Sequence, residues 1–415
     1  MMPERTVKRD ETVRLGRVEG DLKVGHNATI GAESDGRLVV TGTVVFDGGA
    51  TVDCSLECGS IEVRATRHTG GTIKVNGDLL VTAMADVADS LEVSGIASAQ
   101  EFDVGGHLKA NSVNAKRMRV GGHLKVKDSL ESESVDVAGH LTALGKVKIV
   151  DLHVGGHAKI GGGTISGSIQ VRGHFETKTS LSYGEFQSFG HVTLPAGSKG
   201  DRLSVFGRVD FGGDASCKVM EVKGVAEVNG NFSADQVDVL GKLRVTKSLK
   251  VSSDLKVAGV ADVEDRVDCG KLMVEGKLNA ESALAAVEAD LSGEVKTVRG
   301  VRSKVIVVRR CAKVTGPLVG DRVEVGEKPA FGQWPSVWAG KWTRMGQMTS
   351  VEDVYGSSVK IGPYSAAKRV FADSVEMENS SIAEEVTYTR EIKLTPKNYI
   401  HKAPLKVGKL PDAPA

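Results

Sequence analysis

The sequence predicts an all-β chain: a parallel β-helix with three short strands per coil, about 17 residues per coil and about 18–21 coils. Three observations carry this. Apolar pairs spaced two residues apart recur at a nearly constant interval. No apolar stripe at 3.6-residue spacing persists, so helices are not the repeating element. Glycine is abundant at 50 of 415 residues, while proline is scarce at 10. The pairs run Phe102/Val104, Met118/Val120, Val135/Val137, Leu152/Val154, Ile169/Val171, Phe186/Ser188, Leu203/Val205 and onward to Val323/Val325. From Val104 to Val325 there are thirteen intervals. Eleven equal the step from Val120 to Val137, one is a single residue shorter and one a single residue longer. A register held over so long a stretch marks a solenoid.

Each repeat has the same interior. After Val120 come Leu124/Val126, then Leu130, then Val135/Val137. The repeat after Val239 gives Leu243/Val245, Leu249/Val251 and Leu255/Val257. A spacing of two is the strand period, which sends alternate side chains to one face. Burying the roughly six inward side chains of one coil yields about 1.5–3 kcal/mol each. Ordering its backbone costs about 1–2 kcal/mol per residue. A single coil therefore cannot fold alone, and neighbours must supply the rest of the core.

The elements follow in order. Residues 1–17 read as a flexible N-terminal segment. The main β-helix spans 18–326, with Val-x-Gly corners at Val18-Glu19-Gly20, Val40-Thr41-Gly42, Val75-Asn76-Gly77 and Val93-Ser94-Gly95. The stretch from Val93 to Val104 is too short for three strands and predicts a distorted coil or a kink. Residues 327–350 form a Trp-rich insertion carrying Pro329, Pro335 and all three tryptophans. The pairs resume at Val359/Ile361, Val375/Met377 and Ile392/Leu394, giving further coils over 351–395. Residues 396–415 read as a flexible tail.

Composition removes several function classes. With 54 Lys+Arg against 53 Asp+Glu, net charge is +1, so no global field favours nucleic acid or an anionic membrane. Aromatic residues at 4% are too few for a base-stacking surface. Five scattered cysteines do not make a disulfide framework. The start, Met1-Met2-Pro3-Glu4-Arg5, shows no apolar segment of the signal-peptide kind, and no run of about 18 apolar residues predicts a membrane span. A cytoplasmic location is expected, without direct membrane insertion.

Few residues invite a chemical reading. His107, His123, His140, His157, His174 and His191 each occupy a Gly-His corner one repeat apart. Such a column could be a metal or proton track. As a structural ladder it needs less explanation, because it gives way to Arg208, Val225, Lys242, Val260 and Lys277 without loss of register. Neighbouring imidazolium ions about 5 Å apart would repel by roughly 3 kcal/mol at an effective dielectric of 20. The expectation is a structural His ladder. Cys217 and Cys269 fall on inward positions and read as small core residues. Cys54 and Cys58 form C-x-x-x-C without a second pair, too few ligands for structural zinc. Trp334, Trp338 and Trp342 recur every four residues and read as a plug on the solenoid or a partner segment. The Gly-rich corners lack the long following helix that a dinucleotide or phosphate loop needs. There is no cluster of catalytic carboxylates or Ser/His/Asp, so no enzyme, cofactor or metal is expected.

These features together resemble a family. Val120-Gly121-Gly122-His123-Leu124-Lys125-Val126 and Val18-Glu19-Gly20-Asp21-Leu22-Lys23-Val24 are similar to coils of the bactofilins, polymer-forming cytoskeletal proteins. So is Lys368-Arg369-Val370-Phe371-Ala372-Asp373-Ser374-Val375-Glu376-Met377. The likeness covers roughly 18–326 and 351–395. It implies a right-handed, three-sided β-helix and nucleotide-independent polymerisation, rods joining end to end through terminal coils. It also implies a scaffold for membrane- or envelope-associated proteins in a membrane-proximal part of the cytoplasm. The polymerisation interface would then involve Val18, Leu22 and Val24 at one end and Ile392 and Leu394 at the other. The alternatives are a monomeric β-helical adaptor or adhesin rod and a carbohydrate-active β-helix enzyme. The near-constant repeat leaves no room for the long corner loops such an enzyme needs.

Overall fold

A computed structural model describes residues 4–34, 36–64, 71–327 and 348–414. It divides into two compact units, Met1–Val209 and Asp210–Ala415. No helix occurs among the described residues, so none is long and apolar enough to cross a membrane. In both units the chain is a parallel β-solenoid.

The repeat is clearest in the first unit. The strand His107–Val120 pairs in parallel with His123–Val137 in three blocks. These join His107–Ala110 to His123–Val126, Ser112–Ala115 to Ser129–Ser132, and Arg117–Val120 to Ser134–Val137. The next coil repeats all three pairings, through His140–Ala143 and Lys146–Val154. Burial alternates along each block. Leu124, Val126, Leu130, Val135 and Val137 are buried, while Lys125, Glu131 and Asp136 face outward. Ser132 takes the sixth inward position, and its hydroxyl donates to the Ser134 carbonyl at 3.0 Å. A buried hydroxyl satisfied in this way avoids the cost of an orphaned donor.

Irregular intervals are absorbed at corners. In the short coil, Ala110 pairs with Val126 and Ser112 with Ser129, so one corner residue faces two. In the long coil of the second unit, Ala234 pairs with Val251 and Val237 with Leu255, so two corner residues face three. The blocks on either side stay in register, because a one-residue slip inside a block would turn its core face outward.

The irregularity expected between Val93 and Val104 is confined to the corner at Val93/Ile96, where the ladder shifts by one residue. Val93-Ser94-Gly95 is a corner between the first and second blocks, whereas Val104-Gly105-Gly106 is one between the third and the first. The strand Ser90–Val104 therefore holds a full set of three blocks, paired along its length with His107–Val120. The same Val-x-Gly signature serves different corners because the inward/outward alternation is identical in every block.

Solenoid pairing also extends beyond both expected limits. Glu4–Val7 pairs with Asp21–Val24, and Thr12–Leu15 with Thr29–Ala32, with Val7 and Leu15 buried. At the other end, Tyr399–Ile400 and Leu405–Lys406 both pair with the strand Ile382–Leu394. In the second unit, Val323 pairs with Val359 and Val325 with Ile361. The described strands on either side of residues 328–347 thus pair directly.

Candidate functional site

Corner glycines are dictated by stacking. A Cβ on Gly139 would collide with the Gly122 carbonyl oxygen of the coil below, and one on Gly190 with that of Gly173. Adjacent corners approach too closely for a side chain at these positions, which accounts for much of the glycine content.

The histidines form a continuous stack in the first unit. Parallel pairing sets His107, His123, His140, His157, His174 and His191 opposite one another in turn. His123–His140 and His140–His157 are face to face, with centroids 4.6 and 5.0 Å apart and planes 3° and 5° from parallel. His174–His191 stack at 5.2 Å, His107–His123 meet edge to face at 4.7 Å, and His157–His174 are tilted at 6.0 Å. A shallow groove of about 270 Å³ runs beside His140, His157 and His174. Across it, Lys159 Nζ donates to both Glu176 oxygens at 3.0 Å. Burial holds the His174 imidazole below its ordinary range, reinforced by His191 and His157 and opposed by Glu176. Among the described residues, no group of three or more His, Cys, Asp or Glu is placed to hold a metal ion.

The cysteines do not converge. Cys54 and Cys58 are buried, and burial pushes the Cys58 thiol up to about 12. Cys217 and Cys269 are buried at inward positions and are likewise pushed up to about 12. A thiol so raised is a poor nucleophile at neutral pH.

The N-terminal end differs from expectation. Val18, Leu22 and Val24 are not terminal: Leu22 and Val24 are 0% exposed, because the strand Glu4–Val7 lies over them. Glu4–Val7 is the outermost described strand on this side, and in it Arg5 occupies the inward register position above Leu22 and is exposed. A charge at an inward edge position discourages strand addition. The missed signal was periodic, since Val7 and Val24 stand one full repeat apart.

At the C-terminal end, Ile392 and Leu394 pair on one side with Val375 and Met377. Among the described residues, no strand pairs with the other edge of 391–394, and Leu394 is 49% exposed. Tyr399 and Leu405, paired opposite Ile382 and Thr387, are 58% and 59% exposed. Tyr388 takes an inward position above Ala372, and Lys406 Nζ lies 6.0 Å from its ring centroid. The expected partner or plug residues Trp334, Trp338 and Trp342 lie outside the described residues.

Comparison of the chain with protein-family models, with curated proteins and with solved structures gives no match. Function therefore rests on the geometry alone.

Proposed function

We propose that the chain is a structural protein, a bactofilin-like cytoskeletal scaffold that assembles end to end into filaments without nucleotide. In this reading its solenoid is right-handed and three-sided in cross-section. Its first partner is a second copy of itself, and its clients are membrane- or envelope-associated proteins on the cytoplasmic side. It is not an enzyme and needs no cofactor.

The observation that carries this reading is the open C-terminal edge. An unpaired strand at 391–394, with Leu394 half exposed on it, offers hydrogen-bonding groups and apolar surface together. Unpaired edges of this kind template the addition of another chain. Negative-stain electron microscopy of the purified protein without nucleotide, at several salt concentrations, tests the proposal. Thin unbranched filaments are expected; isolated particles at every salt concentration would overturn it.

A second reading is favoured by one specific feature. Arg5 at an inward edge position and Lys406 over Tyr388 place charge at both ends. End charges of that kind suit a monomeric adaptor or adhesin rod, and the same micrographs separate the two readings.

A further inference from the structure

The last described residues are seated on the second unit. Strand pairing aligns Leu284, Arg302, Val319, Tyr355 and Phe371 in one outward column across successive coils. The Tyr355 and Phe371 rings stack at 4.8 Å, 18° from parallel, and the Arg369 guanidinium lies 5.9 Å from the Phe371 centroid. Solvated faces seldom carry such a run of apolar and aromatic side chains in register.

Residues 407–414 run along this column. The Val407 amide donates to the Tyr388 carbonyl at 2.8 Å, and the Pro414 carbonyl accepts from the Arg302 guanidinium. From the coil of Leu405 and Val407 to that of Arg302 there are five coil steps, through Thr387, Phe371, Tyr355 and Val319. At about 4.8 Å per step this is roughly 24 Å, part of which the Arg302 side chain covers. Seven residues of extended chain reach about 23 Å. The segment therefore crosses the strands nearly straight.

Its burial pattern is specific. Val407, Leu410 and Ala413 are half-buried, while Lys409, Pro411, Asp412 and Pro414 are exposed. A seated residue at every third position is the period of polyproline II, which presents one face in three. Such helices dock on aromatic-lined grooves because they are pre-ordered. The fit is incomplete: a groove of about 500 Å³ is lined by the column on one side and by Leu410, Pro411 and Ala413 on the other.

We propose that the Tyr355–Phe371 groove is a docking site for a proline-containing segment of a partner protein, with a seated apolar residue at every third position. Residues 407–414 act as an intramolecular stand-in that occupies the site loosely until a better-filling segment displaces it. This goes beyond the filament reading and does not depend on it, since a monomeric chain would present the same groove.

The probe is a fluorescein-labelled peptide of residues 407–415 carrying Ala413→Leu, followed by anisotropy against the full-length chain. Disabling the chain's own tail with Leu410→Asp and Pro411→Gly removes a competitor held at millimolar effective concentration. The tail-disabled chain is expected to bind the peptide at least about tenfold more tightly than the unaltered chain. Adding Tyr355→Ser and Phe371→Ser, both outward, should abolish that binding; circular dichroism verifies folding. Adding Arg302→Ala alone should weaken it, which gives a readout if the double change unfolds the chain. No binding to the tail-disabled chain, or binding indifferent to the groove changes, would overturn the proposal. A tail-disabled chain that excludes the peptide by pairing with a second copy would overturn it as well.

Discussion

A single methyl group is more than several corners of this chain can accept. Gly139 stands where a Cβ would strike the Gly122 carbonyl of the neighbouring coil. Gly139→Ala should lower unfolding stability by about 1–3 kcal/mol, the usual range for overpacking. Urea titration of the full chain measures this, and an unchanged midpoint would refute the close-approach argument. His174 sets a pH response. Its folded-state imidazole is held below the ordinary value by burial and by His191 and His157, with Lys159 adding to the effect and Glu176 opposing it. The unfolded chain, with its imidazole at about 6.5, therefore takes up a proton more readily than the folded one. Stability is insensitive above that value and falls as pH drops below it. The melting temperature should decrease from pH 8 to pH 5, and His174→Gln should flatten part of that slope. A melting temperature constant over this range would rule the effect out.

Among the strands, the six inward positions of each coil do most of the stabilising. Phe186 is fully buried, with its ring edge-on to Phe175 at 5.3 Å and to Tyr183 at 5.6 Å. Phe186→Ala should cost about 3–5 kcal/mol through lost transfer energy and the cavity left behind. Outward pairs such as Lys159–Glu176 are exposed and should contribute no more than about 1 kcal/mol. Calorimetry on Phe186→Ala and Lys159→Ala should therefore give clearly different losses. The strand blocks were legible in the sequence because period-two alternation is strong and long. Which block a given stretch belonged to was not, as Val93-Ser94-Gly95 illustrates. Only the partner one repeat away identifies the side, and near the N-terminus coil lengths vary enough to hide that partner.

At the scale of the whole molecule, the end-to-end proposal is tested at the outermost strands. The two are unlike: Arg5 sits at an inward position at the start, whereas Leu394 stands on an open edge near the finish. If end-to-end assembly uses that edge, Leu394→Asp should abolish filaments in micrographs. It should shift the melting temperature by only a few degrees, since the side chain is already half exposed. Filaments that persist in this variant would move the junction elsewhere. An equivalent change at Leu22 is expected to destabilise the fold instead, because that residue is covered.

The sequence by itself determined the repeat length, the all-β class, the inward residues and the histidine column. These follow from a local rule, alternation within a strand, multiplied by a constant interval. Tertiary structure alone decided where the solenoid begins and ends, which corner each Val-x-Gly turns, and where residues 407–414 are seated. Edge coils carry charged or polar residues at inward positions, so hydrophobic pattern fades where pairing still continues. The tail lies across strands rather than along them, and its spacing of three gains meaning only against the Tyr355–Phe371 column that stacking assembles.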